Sequence, residues 1–81
     1  MDADFTVDAR GLLCPLPVLK ARKRLLEMAP GSVLALVASD PAAIVDVPHF
    51  CLQSGHRLVA TTDVEGGQMY LIQHSGAGVH T

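Results

Sequence analysis

The sequence predicts a two-layer α/β sandwich with the element order β-α-β-α-β-β. Residues 32–38 form a continuous apolar run, which is typical of a strand buried on both faces. Residues 15–28 carry the pattern of an amphipathic helix. Residues 57–63 and 68–73 are two short strand patterns separated by a glycine-containing turn, which predicts an antiparallel hairpin. We therefore expect one mixed four-stranded sheet with both helices on one face.

The first three elements are predicted to form a parallel β-α-β unit. Residues 5–9 alternate apolar and polar side chains, as a strand does. The helix at residues 15–28 ends before Pro30 and Gly31. A strand, a helix of this length and a second strand favour a right-handed parallel crossover. The expected apolar face of the helix consists of Val18, Ala21, Leu25 and Met28.

The segment between residue 39 and the hairpin contains two candidate helix starts. Asp40 before Pro41 predicts a short capped turn. Asp46 predicts the cap of the main second helix, residues 47–54, because Pro48 is then placed in the first turn. Gly55 is expected to end this helix.

Length and composition predict a single domain over residues 1–81, with a core at about 5–73 and a small, polar, flexible tail at 74–81. Hydrophobic residues make up 49% of the chain and charged residues 17%, as in a globular protein. No apolar run approaches the ~20 residues of a membrane helix. The acidic N-terminus lacks the hydrophobic stretch of a secretory signal, so we expect a cytoplasmic protein.

Residues 14–17, Cys-Pro-Leu-Pro, are the strongest candidate for a functional site. Because proline is tolerated only in the first turn of a helix, Pro15 and Pro17 place Cys14 at the helix start. A helix N-terminus presents unpaired N–H donors and partial positive charge, which favours the thiolate. We expect Pro15 and Pro17 to make the helix start rigid and leave the remaining N–H groups pointing at the sulfur, with Gly11 shaping the preceding loop.

The other candidate ligands and thiols are assigned structural roles. Cys51 is distant from Cys14 in sequence, so we expect it to pack in the core, with a resolving thiol as the alternative. A Cys-x-x-Cys motif is absent, and the four histidines show no tight metal-ligand spacing. We therefore expect neither a metal nor an organic cofactor.

Residues 8–17, together with residues 28–31, 40–43, 46–51 and 54–56, resemble the TusA-like (SirA/YedF-type) sulfur carrier proteins. The resemblance covers about residues 5–73 and agrees with the predicted fold. It implies that Cys14 carries a sulfane sulfur as a persulfide, loaded by a cysteine desulfurase or rhodanese-type donor. An acceptor protein, DsrE/TusD-like or similar, then takes the sulfur for tRNA thiolation, molybdoenzyme maturation or sulfur oxidation.

The residues around Cys14 predict how partners dock. Leu13 and Leu16 stand where the tRNA-thiolation branch of the family has a basic and an acidic residue, so the rim of the site is expected to be apolar. Arg10 and Lys20, with the other basic residues of the first helix, are candidates for docking an acidic partner surface. The alternative for this basic cluster is a solvated helix face.

Two other functional classes remain open at this point. One is a regulatory module that binds a partner through the first helix, with an incidental thiol. The other is a small RNA-binding domain, which 4% aromatic residues and a net charge of −2 disfavour. We expect a monomer that relays sulfur between proteins without binding nucleic acid or membrane. Its mechanism resembles that of a sulfurtransferase, and whether it counts as an enzyme stays open.

Overall fold

The computed structural model describes residues 3–76 and confirms the predicted fold class. The elements are β1 (Phe5–Asp8), α1 (Leu16–Leu26), β2 (Val33–Ala38), α2 (Ala43–Ser54), β3 (Arg57–Val64) and β4 (Gly67–Gln73). The sheet has the order β1-β2-β4-β3, in which β1 and β2 are parallel and the other neighbours antiparallel. The parallel β-α-β unit and the hairpin are thus both present. Within residues 3–76, no helix is long and apolar enough to cross a membrane.

The strand β2 is apolar on both faces because it lies between two other strands and contributes to two cores. Leu34 and Leu36 belong to the main core between the sheet and the helices. Val33 and Ala35 alternate with them and form a smaller core on the opposite face with Leu71 of β4. A side-chain period of two along the strand accounts for this division. The main core also contains Ala9, Ala21, Leu25, Met28, Ala38, Ala43, Val47, Cys51, Tyr70 and Ile72.

The helix α1 begins at Leu16 and is shorter than predicted at its C-terminal end. It ends at Leu26, with Glu27 as its C-cap. The N–H groups of Glu27 and Met28 bond to carbonyls three residues back, at 3.0 Å each, so the last turn tightens and the helix stops. Met28 is still buried in the main core, which explains why the apolar pattern extends past the helix.

The predicted start of the second helix is wrong: α2 begins at Ala43, and Pro48 lies inside it. The carbonyls of Asp40, Pro41 and Ala42 accept the first N–H groups of the segment at 3.0–3.1 Å, so the predicted short turn runs directly into the helix. Pro48 cannot donate to the carbonyl four residues back. The helix continues because Ala43, Val47 and Cys51, spaced four residues apart, are all buried on one face.

The packed chain extends beyond the predicted end of the core. His74, the first residue of the predicted flexible tail, is only 2% exposed. Its carbonyl accepts the N–H of Gly31 at 2.7 Å, and its N–H donates to the carbonyl of Ser32 at 2.8 Å. These bonds continue the pairing of β4 with the segment before β2. Ser75 and Gly76 also belong to the described residues, whereas residues 77–81 of the predicted tail lie outside them.

The hairpin turn packs closely against the C-terminal end of β2. A Cβ atom added to Gly67 would overlap the carbonyl oxygen of Ala38 and lie 3.1 Å from the Cα of Ser39. Both are backbone atoms of the segment that leads into Asp40. Only glycine therefore fits at position 67 without displacing this segment.

We predict that Gly67→Ala lowers the free energy of unfolding by about 1–3 kcal/mol, because the added methyl group meets backbone atoms. Urea unfolding followed by circular dichroism measures the change. Thr62→Ala, at an exposed position of β3, is the control and should stay within about 0.5 kcal/mol of the parent protein. A Gly67→Ala protein as stable as this control would contradict the close approach.

Candidate functional site

The loop that carries Cys14 is held by the residues that follow β2. The N–H of Gly11 donates to Ser39 Oγ at 2.8 Å, and the N–H of Cys14 donates to Asp40 Oδ2 at 2.7 Å. Gly11 has φ +83°, a left-handed conformation that glycine adopts without strain. The position of Cys14 thus depends on two polar side chains at the carboxyl end of the central strand.

Cys14 is exposed and lines a groove between the two helices. Its Sγ donates a hydrogen bond to Asp46 Oδ2 at 2.6 Å. The groove has a volume of about 230 Å³. It is lined by Cys14, Pro15 and Val18 on one side and by Asp46, His49, Phe50 and Gln53 of α2 on the other. A second sulfur atom attached to Cys14 would therefore have space and a polar neighbour.

The prediction that the helix terminus lowers the pKa of Cys14 is wrong. The hydrogen bond to Asp46 raises the pKa of the Cys14 thiol above its usual value, and desolvation and the negative charges of Asp46 and Asp40 act in the same direction. The carboxylate accepts the thiol proton and repels the thiolate. At neutral pH the protonated thiol is therefore favoured.

The backbone donors of residues 14–17, which were expected to stabilise the thiolate, are absent or already used. Pro15 and Pro17 have no N–H. The N–H of Leu16 donates to the carbonyl of Leu13 at 2.9 Å, and the N–H of Cys14 itself donates to Asp40. The same prolines that mark the helix start thus remove two of the donors that a helix start normally offers.

Cys51 lies in the main core, in agreement with the prediction of a packing role. It is 3% exposed, and burial raises the pKa of its thiol to about 11. Both cysteines are free thiols. The two thiols therefore differ in accessibility, and only Cys14 is open to a partner.

Leu13 and Leu16 flank the thiol as exposed apolar side chains. Leu13 is 71% exposed and Leu16 is 47% exposed. Pro15, between Cys14 and Leu16, is exposed as well, whereas Pro17 is buried under the helix. The surface next to the sulfur is thus apolar on the α1 side and polar on the α2 side.

The two basic residues predicted to dock partners lie in different surroundings. Arg10 donates to both carboxylate oxygens of Asp8, at 3.0 and 2.9 Å, and to the carbonyl of Glu65 at 3.2 Å. The hydrogen bonds that Asp8 accepts from the side chain and the backbone N–H of Arg10 lower the pKa of Asp8 to about 2. Arg10 thus fastens β1 to the hairpin turn, and Asp8 balances its charge.

Lys20 lies in a separate basic groove beside β1. This groove, of about 170 Å³, is lined by Val7, Lys20, Lys23, Arg24 and Glu27. Arg24 pairs with Glu27 at 3.3 Å and stacks on the ring of Phe5 at 4.3 Å. Within residues 3–76, Lys20 and Lys23 take part in no ion pair. The structure therefore separates the basic groove from the groove at Cys14.

Sequence reasoning missed the α2 side of the site. Asp46, His49, Phe50 and Gln53 follow the spacing i, i+3, i+4 and i+7, so they share one face of a helix. Because the helix was predicted to start at residue 47, Asp46 was assigned to its cap, and the shared helix face was not recognised. Asp40 was predicted as a cap, and its Oδ1 does accept the N–H of Ala42 at 3.0 Å. Its second oxygen, which binds the Cys14 backbone, was not anticipated.

Metal binding finds no support in the described part of the chain. Among residues 3–76, no three side chains of His, Cys, Asp or Glu are grouped so that they could hold one metal ion.

Comparisons with known proteins identify the family and support the fold. Residues 5–74 match the protein-family model described as sulfurtransferase TusA. The chain is 41% identical over 70 residues to a sulfur carrier protein TusA of Pseudomonas entomophila (strain L48), covering 86% of this chain and 88% of that protein. Its fold is similar to the crystal structure of a SirA-like protein from Desulfitobacterium hafniense, with a TM-score of 0.75 and 23% identity, over 88% of this chain and 97% of that one.

We predict that Cys14 reacts slowly with iodoacetamide at pH 7 and that its rate rises with a midpoint above about 8.5, the ordinary thiol value. A raised pKa means a smaller thiolate fraction at every pH below the midpoint. Alkylation rates of a Cys51→Ser protein between pH 6 and 10, read by intact mass, measure the midpoint. A midpoint well below that of free cysteine would contradict the role of Asp46.

Proposed function

Because the chain belongs to the TusA sulfurtransferase family, we propose that it is a sulfur carrier whose Cys14 holds a sulfane sulfur as a persulfide and passes it to an acceptor protein. The observation that carries this proposal is the exposed Cys14 thiol, fixed by Asp40 at a groove with room for added sulfur. The other thiol, Cys51, is buried.

The proposed mechanism consists of two exchanges at sulfur. In loading, the Cys14 thiolate attacks the outer sulfur of a donor persulfide, R–S–SH, and the donor leaves as R–S⁻. In discharge, an acceptor thiolate attacks the outer sulfur on Cys14, the S–S bond breaks, and Cys14 leaves as a thiolate that takes a proton from water. Sulfur is moved without net oxidation or reduction, so neither exchange needs a redox cofactor.

Loading requires the hydrogen bond between Cys14 and Asp46 to open. The reactive thiolate is the minor form at neutral pH, and Asp46 Oδ2 faces the attacking atom at 2.6 Å. A donor that brings cationic or hydrogen-bonding groups into the groove would increase the thiolate fraction of Cys14. The carrier is therefore expected to react fastest when a protein partner is docked.

We infer the partners from the chemistry of the family. A cysteine desulfurase or rhodanese-type protein supplies the sulfur, and a DsrE/TusD-like or similar protein accepts it. The pathway served is tRNA thiolation, molybdoenzyme maturation or sulfur oxidation. The cytoplasm, where thiols stay reduced, suits a free persulfide carrier that works as a monomer.

We assign docking of the protein partners to the surface around the thiol. Leu13 and Leu16, which precede and follow Cys14 in the sequence, are exposed, and burying them against a partner would be favourable. Lys20 of the basic groove adds a charge that speeds encounter with an acidic surface. Arg10 contributes less free charge, because Asp8 neutralises it. Gly11, Pro15 and Pro17 support the site through the conformation of the loop and the helix start.

We predict that the protein gains one sulfur atom, seen as a single mass increment of about 32 Da, when incubated with a cysteine desulfurase and cysteine. Cys14→Ser abolishes the gain because the accepting sulfur is removed. Cys51→Ser retains it, since that thiol is buried. Sulfur loading of Cys14→Ser, or an unloaded parent protein with every donor, would contradict the proposal and favour a regulatory module with an incidental thiol.

We predict that Leu13→Ser combined with Leu16→Ser slows loading by the protein donor about fivefold or more, the effect of losing apolar anchors at an interface. Loading by glutathione persulfide, which needs no docking surface, should stay within about twofold. Initial rates from intact mass measure both reactions.

The matched control for this experiment is Leu26→Ser. Leu26 is 65% exposed at the other end of α1, about 15 Å along the helix from Leu16. Its loss should change neither rate. Equal slowing with both donors would assign the leucines to the reactivity of Cys14 instead of to docking.

A further inference from the structure

The carboxylate of Asp46 faces the one atom to which sulfur would be attached. Its Oδ2 lies 2.6 Å from Cys14 Sγ, and the residue is half-buried on the wall of the groove. This arrangement is unusual for a thiol that has to become a nucleophile, because an adjacent anion disfavours the thiolate. Asp46 therefore hinders the loading of Cys14. The same negative charge favours the discharge of its sulfur.

We propose that Asp46 is a positioning residue that biases the carrier toward giving up its sulfur, because it stabilises the empty thiol and destabilises the loaded persulfide. The inference rests on the proposed carrier function and adds to it a direction of transfer. Asp46 acts through Cys14 and its attached sulfur, and it contacts neither the donor during loading nor the acceptor during discharge.

The difference between the empty and loaded states follows from their charges. The equilibrium Cys14–SH + R–S–SH ⇌ Cys14–S–SH + R–SH conserves every atom. A persulfide is more acidic than the thiol from which it forms, so at neutral pH the loaded side chain releases its proton to water and becomes Cys14–S–S⁻. The empty thiol donates a hydrogen bond to Asp46, whereas the loaded anion has no proton to donate and meets a like charge.

The other ionisable groups near the thiol do not cancel this effect. Asp40 adds a second negative charge and already uses its oxygens on the N–H groups of Cys14 and Ala42. His49 of α2 is the one titratable base that lines the groove among the described residues, and no lysine or arginine lines it. Lys20 and Lys23 face the separate basic groove.

The test measures the loading equilibrium with a small donor, so that partner docking plays no part. Parent and variants, all carrying Cys51→Ser, are equilibrated at pH 7.5 with glutathione persulfide and glutathione at a fixed ratio. Intact mass gives the loaded fraction. Asp46→Asn removes the charge at constant size, and Asp46→Glu keeps it. Asp63→Asn, at an exposed site on β3, makes the same charge change elsewhere.

We expect Asp46→Asn to raise the ratio of loaded to empty carrier about fivefold, the effect of removing a unit charge about 4 Å away in water. Asp46→Glu and Asp63→Asn should stay within about twofold of the parent. The alkylation midpoint of Cys14 should fall in Asp46→Asn and not in Asp63→Asn, a change that a merely structural role would not produce.

A second measurement varies the salt concentration. Raising the salt concentration from 0.1 to 1 M shortens the screening length from about 10 to about 3 Å. The loaded fraction of the parent should therefore rise, and that of Asp46→Asn should change less.

The outcomes separate this inference from the carrier function. If the parent loads and Asp46→Asn loads to the same or a smaller extent, the role of Asp46 is wrong and the carrier function stands. The same holds if Asp63→Asn raises loading as much as Asp46→Asn. If the parent takes up no sulfur from glutathione persulfide or from a desulfurase, the carrier function itself fails.

Discussion

The carboxylate of Asp40 joins the three parts of the molecule on which the site depends. It follows the central strand β2, its Oδ1 accepts the N–H of Ala42 ahead of α2, and its Oδ2 accepts the N–H of Cys14 ahead of α1. These two hydrogen bonds hold the pKa of Asp40 below its usual value, with the bond from Ala42 the larger cause. One ionised side chain thus sets the relative position of both helix starts, and the groove at Cys14 lies between them.

The sequence predicted those parts of the fold that depend on local pattern. The apolar run of β2, the prolines at the start of α1 and the glycines of the hairpin turn each act over a few residues, and the structure confirms the elements they predict. The start of α2 was wrong because two aspartate-proline signals compete there. Burial of Ala43 and Val47 against the sheet decides between them, and that is a tertiary effect.

The sequence predicted only the α1 side of the candidate site, because the α2 side depends on tertiary packing. Cys14, Leu13 and Leu16 are adjacent in sequence, so a motif reveals them together. Asp46 lies 32 residues further along the chain than Cys14, and only the packing of α2 beside α1 brings it to the thiol. Its presence reverses the sign of the electrostatic effect on Cys14. A helix-terminus argument assumes free backbone donors, and at residues 14–17 prolines and competing acceptors have removed them.

The burial of Cys51 has a consequence for how long such a carrier keeps its cargo. A persulfide that can reach a second thiol in its own chain discharges spontaneously: the chain closes a disulfide and hydrogen sulfide is lost. Cys51 is packed in the core on the buried face of α2, with a thiol pKa of about 11, so it offers almost no thiolate for that reaction. For a chain that holds sulfur on Cys14, self-discharge is thereby suppressed, and the lifetime of the cargo is set by encounters with other molecules.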